Sequence, residues 1–259
     1  MADGGKPKGP LGAAKPAQGL RGPTGLAQGE SAAQGPPALD APKDALKSKT
    51  FSYFEGRVRV LVALMPYPKV SREALSTIRA TTNVAKQIGY TNASVTAADD
   101  KETKVGKDPW YTAVLKLTAS KMAVPKELWV EDAAITAEKD AKALKKLQRF
   151  RKAYDDIVEH EKAHMTVAFD WLKKDALGFD SAWGTSEAKM PTKADFSAAV
   201  RAAASKANAA DGPLKKSADD WDGKDLSELR SKQREVYVTI GDGMNPNPVV
   251  YYHPPPDEK

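Results

Sequence analysis

The sequence predicts an α+β fold: a small antiparallel β-sheet with one helix against it, followed by a long helix and then further helices. Three observations carry this. Runs rich in β-branched residues fall in the first half of the chain. From about Thr136 to Leu177 the apolar residues recur instead at spacings of three and four, the period of a helix. Glycine and proline crowd the N-terminal segment, where no aromatic residue falls.

Taken in order, residues 1–48 hold nine of the 18 glycines and seven of the 18 prolines. Such a segment buries too little apolar surface to offset its ordering entropy, so a disordered tail is expected, with a docking segment for a partner as its functional alternative. Phe51–Phe54 and Arg57–Met65 read as strands, with Val58, Val60 and Val62 alternating with Arg59 and Leu61, and Glu55-Gly56 as the turn between them. Pro66 and Pro68 end the second strand. Ser71 then has the character of an N-cap for a helix bearing Leu75, Ile78, Thr82, Ala85 and Ile88 on one face, with Gly89 as its stop. Thr91–Ala98 and Tyr111–Ala119 are expected as further strands, separated by a polar loop at Asp99-Asp100-Lys101.

Pro125, Leu128 and Trp129 mark a turn into the second half. The helical pattern from Thr136 to Leu177 is long for a globular protein, so a break is expected near Asp140 or between Gln148 and Arg151, with Gly178 as the stop. A loop at Asp180–Gly184 leads to an Ala-rich helix opened by Pro191-Thr192 and Asp195. A short helix from Asp225 to Arg234 follows, and Val236–Ile240 with Val249–Tyr252 form a closing hairpin. The expected division is a tail over 1–48, an α+β domain over 49–180 that carries the long helix, a helical extension with hairpin over 181–253, and a loose end over 254–259.

Composition narrows the chemistry. The 259 residues include no cysteine, which removes disulfides, thiolate nucleophiles and Cys-ligated zinc. A net charge of +6 is spread through the chain without a dense basic block, so nucleic acid is not an expected partner. No run reaches the length of a membrane span, and no apolar signal region follows the N-terminus; a cytoplasmic setting or non-classical export is expected. P-loop, dinucleotide-binding and G-x-S-x-G patterns are absent.

The informative stretch lies on the long helix. Leu147, Phe150, Tyr154, Ile157, Glu161, His164, Ala168 and Trp171 form one seam at alternating spacings of three and four. On that seam Glu161 and His164 interrupt apolar and aromatic side chains. Buried there, a carboxylate and an imidazole cost free energy unless something compensates them. With His160 they complete H-E-x-x-H, and two of the three histidines in the chain are in it. Four residues apart on a helix, both imidazoles reach one ion, and the glutamate between them meets a water in the open coordination position as general base.

The stretch Leu147–His164 (LQRFRKAYDDIVEHEKAH), preceded by the Pro-x-x-Leu-Trp turn at 125–129 and by FSYFEGRVRV at 51–60, resembles a little-characterised bacterial family of predicted zinc-dependent peptidases. The resemblance covers roughly residues 50–175, with Ala163 where the family often has glycine. It implies a zincin-like domain with Zn²⁺ held by His160 and His164, Glu161 as the catalytic base, and a peptide or protein as substrate.

The third ligand stays open between Asp170, six residues beyond His164, the later acids Glu187, Asp195 and Glu228, and His253. On an unbroken helix Asp170 points about 80° away from the histidine pair. Asp156, one turn before His160, is a candidate to orient that imidazole, and Tyr154, Tyr251 and Tyr252 are candidates to stabilise an oxyanion. Two rival readings stand beside the peptidase. One is a non-catalytic structural or interaction protein, such as a delivered cargo or assembly component with a chance motif. The other keeps the zinc for deformylase-like amide hydrolysis.

Overall fold

The computed structural model describes residues 36–82 and 87–232, with side chains to residue 225. It is an α+β structure, and strand β1 (Lys47–Tyr53) pairs antiparallel with β2 (Val58–Leu64) around the turn expected at Glu55-Gly56. Residues 36–48, expected as the end of a disordered tail, are packed against the sheet or paired in it. Leu39, Ala41 and Ala45 pack on Leu61, Ala63 and Val114, and the Arg59 guanidinium donates to the Pro37 carbonyl. This segment covers the second face of β2, so the strand read as half-buried is buried on both faces. Residues 1–35 lie outside the described residues.

The sheet is mixed rather than antiparallel, a correction with a topological cause. After β2 come a short strand, β3 (Ser71–Glu73), and a helix, α1 (Leu75–Thr82), before β4 (Tyr90–Val105). A two-residue turn at Gly106-Lys107, with Gly106 at φ +65°, folds β4 back onto β5 (Asp108–Pro125). Strand β5 thus enters between β4 and β2, antiparallel to the first and parallel to the second, and β3 joins it in parallel at Ala123–Pro125. Ser71 is accordingly no N-cap; it lies in β3 and its hydroxyl donates to the Met122 carbonyl at 3.1 Å. The polar loop expected at Asp99–Lys101 is a bulge within β4, where the register shifts between Ala98 and Lys101 and Asp99 takes φ +53°.

The long helix breaks where expected at Asp140 and nowhere between Gln148 and Arg151. A six-residue helix, α2 (Asp132–Ala137), precedes α3 (Ala141–Leu172), whose N-cap Asp140 accepts the Ala143 N–H at 2.8 Å. The Pro125–Trp129 turn is clasped to α3: the guanidiniums of Arg72 and Arg151 lie 3.3 and 3.9 Å from the Trp129 ring centroid, and Tyr154 meets that ring edge-on. Beyond α3, the expected loop contains α4 (Phe179–Trp183). Helix α5 (Lys193–Asn208) opens with a capping box between Thr192 and Asp195. Helix α6 (Pro213–Lys232) starts twelve residues ahead of the short helix read at Asp225. The hairpin read at 236–252 and the end at 254–259 lie outside the described residues.

The second half does not extend the domain; it completes its core. Met165, Phe169 and Leu172 of α3 and Phe196, Val200 and Ala203 of α5 pack with Val60, Val62, Tyr111 and Leu115 of the sheet in one buried cluster. Phe196 is fully buried, stacked between Tyr111 and Trp183. Among the described residues no helix is long and apolar enough to cross a membrane. Phe196→Ala should destabilise the fold by about 3–5 kcal/mol, read from urea-denaturation midpoints, because the void lies between sheet and helix where neither relaxes easily.

Candidate metal centre

Of the seam of α3, Phe150, Tyr154, Ile157, Glu161 and Ala168 are buried, while Leu147, His164 and Trp171 are half-buried. His160 lies off that seam and is nonetheless only 4 % exposed, because α6 covers it. Trp221 of α6 stacks on the His160 ring at 5.6 Å, and its indole N–H donates to the His160 carbonyl at 3.2 Å. The two imidazoles stand edge to face, 4.8 Å between centroids, and ligand atoms of His160, Glu161 and His164 all lie within 4.8 Å of one another.

A residue that the sequence reading missed closes the group. Asp222 Oδ1 lies 3.1 Å from His160 Nε2 and 3.2 Å from His164 Nε2. Three residues on, one helical turn along α6, Asp225 Oδ2 lies 2.7 Å from His160 Nδ1. Both ring nitrogens of His160 therefore face carboxylates. A neutral imidazole carries one N–H, so if Nδ1–H donates to Asp225, Nε2 aims a lone pair at Asp222. A proton or a cation between them relieves this. Among the described residues, His164 Nδ1 is buried without a hydrogen-bond partner.

The donor set fits a small divalent cation. Nitrogen and oxygen ligands bound at zinc distances around a tetrahedron stand about 3.3 Å apart, close to the separations of Asp222 Oδ1 from the two Nε2 atoms. Three carboxylates, Glu161, Asp222 and Asp225, surround two imidazoles, so the pocket is anionic. Burial opposes the charge of His160, but the hydrogen bonds to Asp222 and Asp225 and the charges of Glu161 and Asp222 outweigh it and raise its pKa above the ordinary value. Burial likewise opposes the charge of Asp222, yet the hydrogen bonds to His160 and His164 hold its carboxyl well below the usual range.

Glu161 is placed by the other wall. Its carboxylate reaches over Gly89, and Thr91 Oγ1 lies 2.8 Å from Oε2 and 3.0 Å from the Glu161 carbonyl oxygen, with one hydroxyl proton to share between these two acceptors. Burial raises the Glu161 pKa, against the pull of His164, His160 and Thr91. Gly89 is required there, since a Cβ would stand 2.4 Å from Glu161 Oε1 and 3.0 Å from Ile157. Beside the group lies a cleft of about 560 Å³, bounded by Thr91–Ser94 of β4, by His164 and Ala168 of α3, by Asn208–Ala210 and by Leu214, Ala218 and Asp222.

The other expected site residues lie elsewhere. Asp170 pairs with Lys173 at 2.6 Å, as its angle on an unbroken helix requires. Glu187 is exposed in the α4–α5 connection, and Asp195 is spent on the capping box. The Glu228 side chain, His253, Tyr251 and Tyr252 lie outside the described residues. Asp156 pairs with Lys152, the orienting contact to His160 being made by Asp225 instead, and Tyr154 packs on Trp129. The signal that could have found Asp222 was Gly212-Pro213: proline is favoured at the first helical position, and a helix begun there puts Asp222 and Asp225 a turn apart.

No family model, curated protein or solved structure matches this chain.

Gly89→Ala should push the Glu161 carboxylate off Thr91 and cost about 1–3 kcal/mol of stability, as overpacking does. Thermal unfolding and a crystal structure of the variant would check it; an unmoved Glu161 at full stability would refute the close approach.

Proposed function

We propose that this protein is a zinc-dependent hydrolase of amide bonds, a peptidase, whose metal is held by His160, His164 and Asp222. The observation that carries this reading is that two imidazole nitrogens and one carboxylate oxygen converge at ligand spacing beside a cleft, with a buried glutamate next to them. Zinc suits two nitrogens and one oxygen in a chain without cysteine. When bound, it supplies a Lewis acid that polarises the amide carbonyl and brings the pKa of water to about 7.

The chain's own residues do the rest. Asp225 accepts the His160 Nδ1–H, which fixes the tautomer and turns Nε2 toward the ligand position. Trp221 covers that ring and keeps solvent from it. Glu161 takes the proton from the attacking water and delivers it to the leaving amine. Its burial suits this, because a carboxyl raised toward neutral pH is a better proton shuttle than one held low. Thr91 holds the carboxylate in place. Asp222, with its side chain 40 % exposed, is the ligand nearest to open solvent, on the side where substrate enters.

Elemental analysis of the purified protein should find close to one zinc per chain, lost in His160→Ala, His164→Ala and Asp222→Ala. Asp225→Asn should weaken metal affinity by about 10–100-fold. Glu161→Gln should retain the metal and lower turnover of a peptide by about 10²–10⁴-fold. Zinc binding undisturbed by Asp222→Ala would remove the third ligand, and full activity in Glu161→Gln would remove the base.

A further inference from the structure

The cleft beside the metal centre carries opposite charges at its two ends. At one end are Asp222 and His164, with Glu161 and Asp225 close by, so that three carboxylates surround two imidazoles. At the other stands Lys215, the one lysine or arginine among the described residues that line the cleft. Lys215 and Asp222 are seven residues apart on α6, two turns of a helix. Both side chains therefore leave the same face, with Ala218 between them, and the rise from one to the other is about 10 Å.

The other polar groups at this end are neutral, and some are already engaged. Asn208 accepts the Val95 N–H at 2.9 Å and donates from Nδ2 to the Val95 and Ala204 carbonyls at 2.8 and 2.9 Å. Ser94 shares a hydrogen bond with Thr118, and Gln87 and Asn92 offer uncharged amides. Lys215 has a partner one turn on, Asp219, but both side chains of this pair are more than half exposed. A surface pair of that kind holds its members weakly, so a carboxylate arriving through the cleft competes for the ammonium at small cost. A second hollow, which shares Ala209 with the cleft, adds Lys206 and Lys216 and one acid, Asp211. Three lysines thus stand against Asp211 and Asp219, and positive charge prevails.

Resting on the peptidase reading, we propose that Lys215 holds the free C-terminal carboxylate of the substrate, a peptide cut two or three residues from its end. A terminal carboxylate is drawn toward Lys215 and repelled by the three acids at the other end, which sets the direction in which the chain lies. Extended residues advance about 3.3 Å each, so about three span the distance from Asp222 to Lys215. The flexible four-carbon stem of lysine accommodates one residue fewer. Water adds across the amide: its hydroxyl goes to the carbonyl carbon and its proton to the leaving nitrogen, and a di- or tripeptide departs with the anchored carboxylate. Ala168, Ala209, Ala210 and Ala218 are small and leave room for varied side chains, so the ammonium selects a terminus rather than a sequence.

The test uses Glu161→Gln protein supplied with zinc, and random-sequence hexapeptides with an N-terminal fluorophore that end in a free carboxylate or in an amide. The acid pool should bind about tenfold more tightly than the amide pool, and less so at high salt. Lys215→Met should lower acid binding to the level of the amide, and Lys215→Arg should keep the preference. Asp219→Asn removes the competing carboxylate and should widen the preference by about two- to fivefold. Equal binding of the two pools, or a preference that survives Lys215→Met, overturns the proposal. So does an amidated pool with glutamate fixed near its end that binds as tightly as the acid pool, because the carboxylate is then a side chain's. A second measurement needs no change at Lys215. Wild-type protein given the unlabelled acid pool should release di- and tripeptides from the C-terminal side, read by mass spectrometry; single amino acids or longer fragments overturn the proposal. The two readings fail separately. Peptides cut regardless of their C-terminus leave the hydrolase and remove the anchor; an acid preference that depends on Lys215, in protein that holds no zinc and cuts nothing, leaves the anchor and removes the hydrolase.

Discussion

The constraint on which the rest of the structure depends is the burial of ionisable groups between α3, β4 and α6. Glu161 is 2 % exposed and His160 4 %. Removing an ion from water costs several kcal/mol unless other groups replace the lost solvation. Each wall around the pair supplies such a group. Thr91 donates to the glutamate, Gly89 leaves space for it, and Asp222 and Asp225 face the two nitrogens of His160. Half-satisfied, such a network would be worse than an apolar core, and among the described residues the Nδ1 atom of His164 is the ring nitrogen of this group without a hydrogen-bond partner.

That requirement explains an otherwise unpromising helix. Helix α6 is strongly polar and contains Gly223 in its interior, a residue that weakens a helix by about 1 kcal/mol relative to alanine. Its place comes from what it covers. Trp221 lies flat on His160 while its indole N–H ties it to the α3 backbone, and the two aspartates follow from the same helical face. The turn between α5 and α6 does further work. It brings the end of α5 to the edge of β4, where the Asn208 amide replaces a strand, and it shapes one side of the cleft. The sheet positions the opposite side, because β5 at its centre fixes β4 over its whole length.

Much of this was legible in the sequence because it is local. The α3 seam, the break at Asp140, the capping box at Thr192 and Asp195, and the hairpin at Glu55-Gly56 each arise from residues within one or two turns of one another. The errors have a common cause in distance along the chain. An antiparallel sheet is the expectation when strands are read one after another, and only the insertion of β5 between β2 and β4 makes it mixed. Ser71 has the chemistry of a cap but was claimed by Met122, 51 residues away. The segment before β1 reads as tail by composition, yet three small apolar side chains in it find the uncovered face of β2.

By itself the sequence determined that His160, Glu161 and His164 share a helix, that Glu161 lies on its buried stripe, and that no thiol takes part. Those properties follow from the helical period and from composition, neither of which needs a partner segment. Tertiary structure alone decided that Asp222 joins the two histidines, that Asp225 holds one of them, and that the β4 edge opens beside them. Ligands from separate helices meet only when packing brings α6 across α3. No spacing rule records that meeting, because the free energy that drives it is spread over a core assembled from residues far apart in the chain.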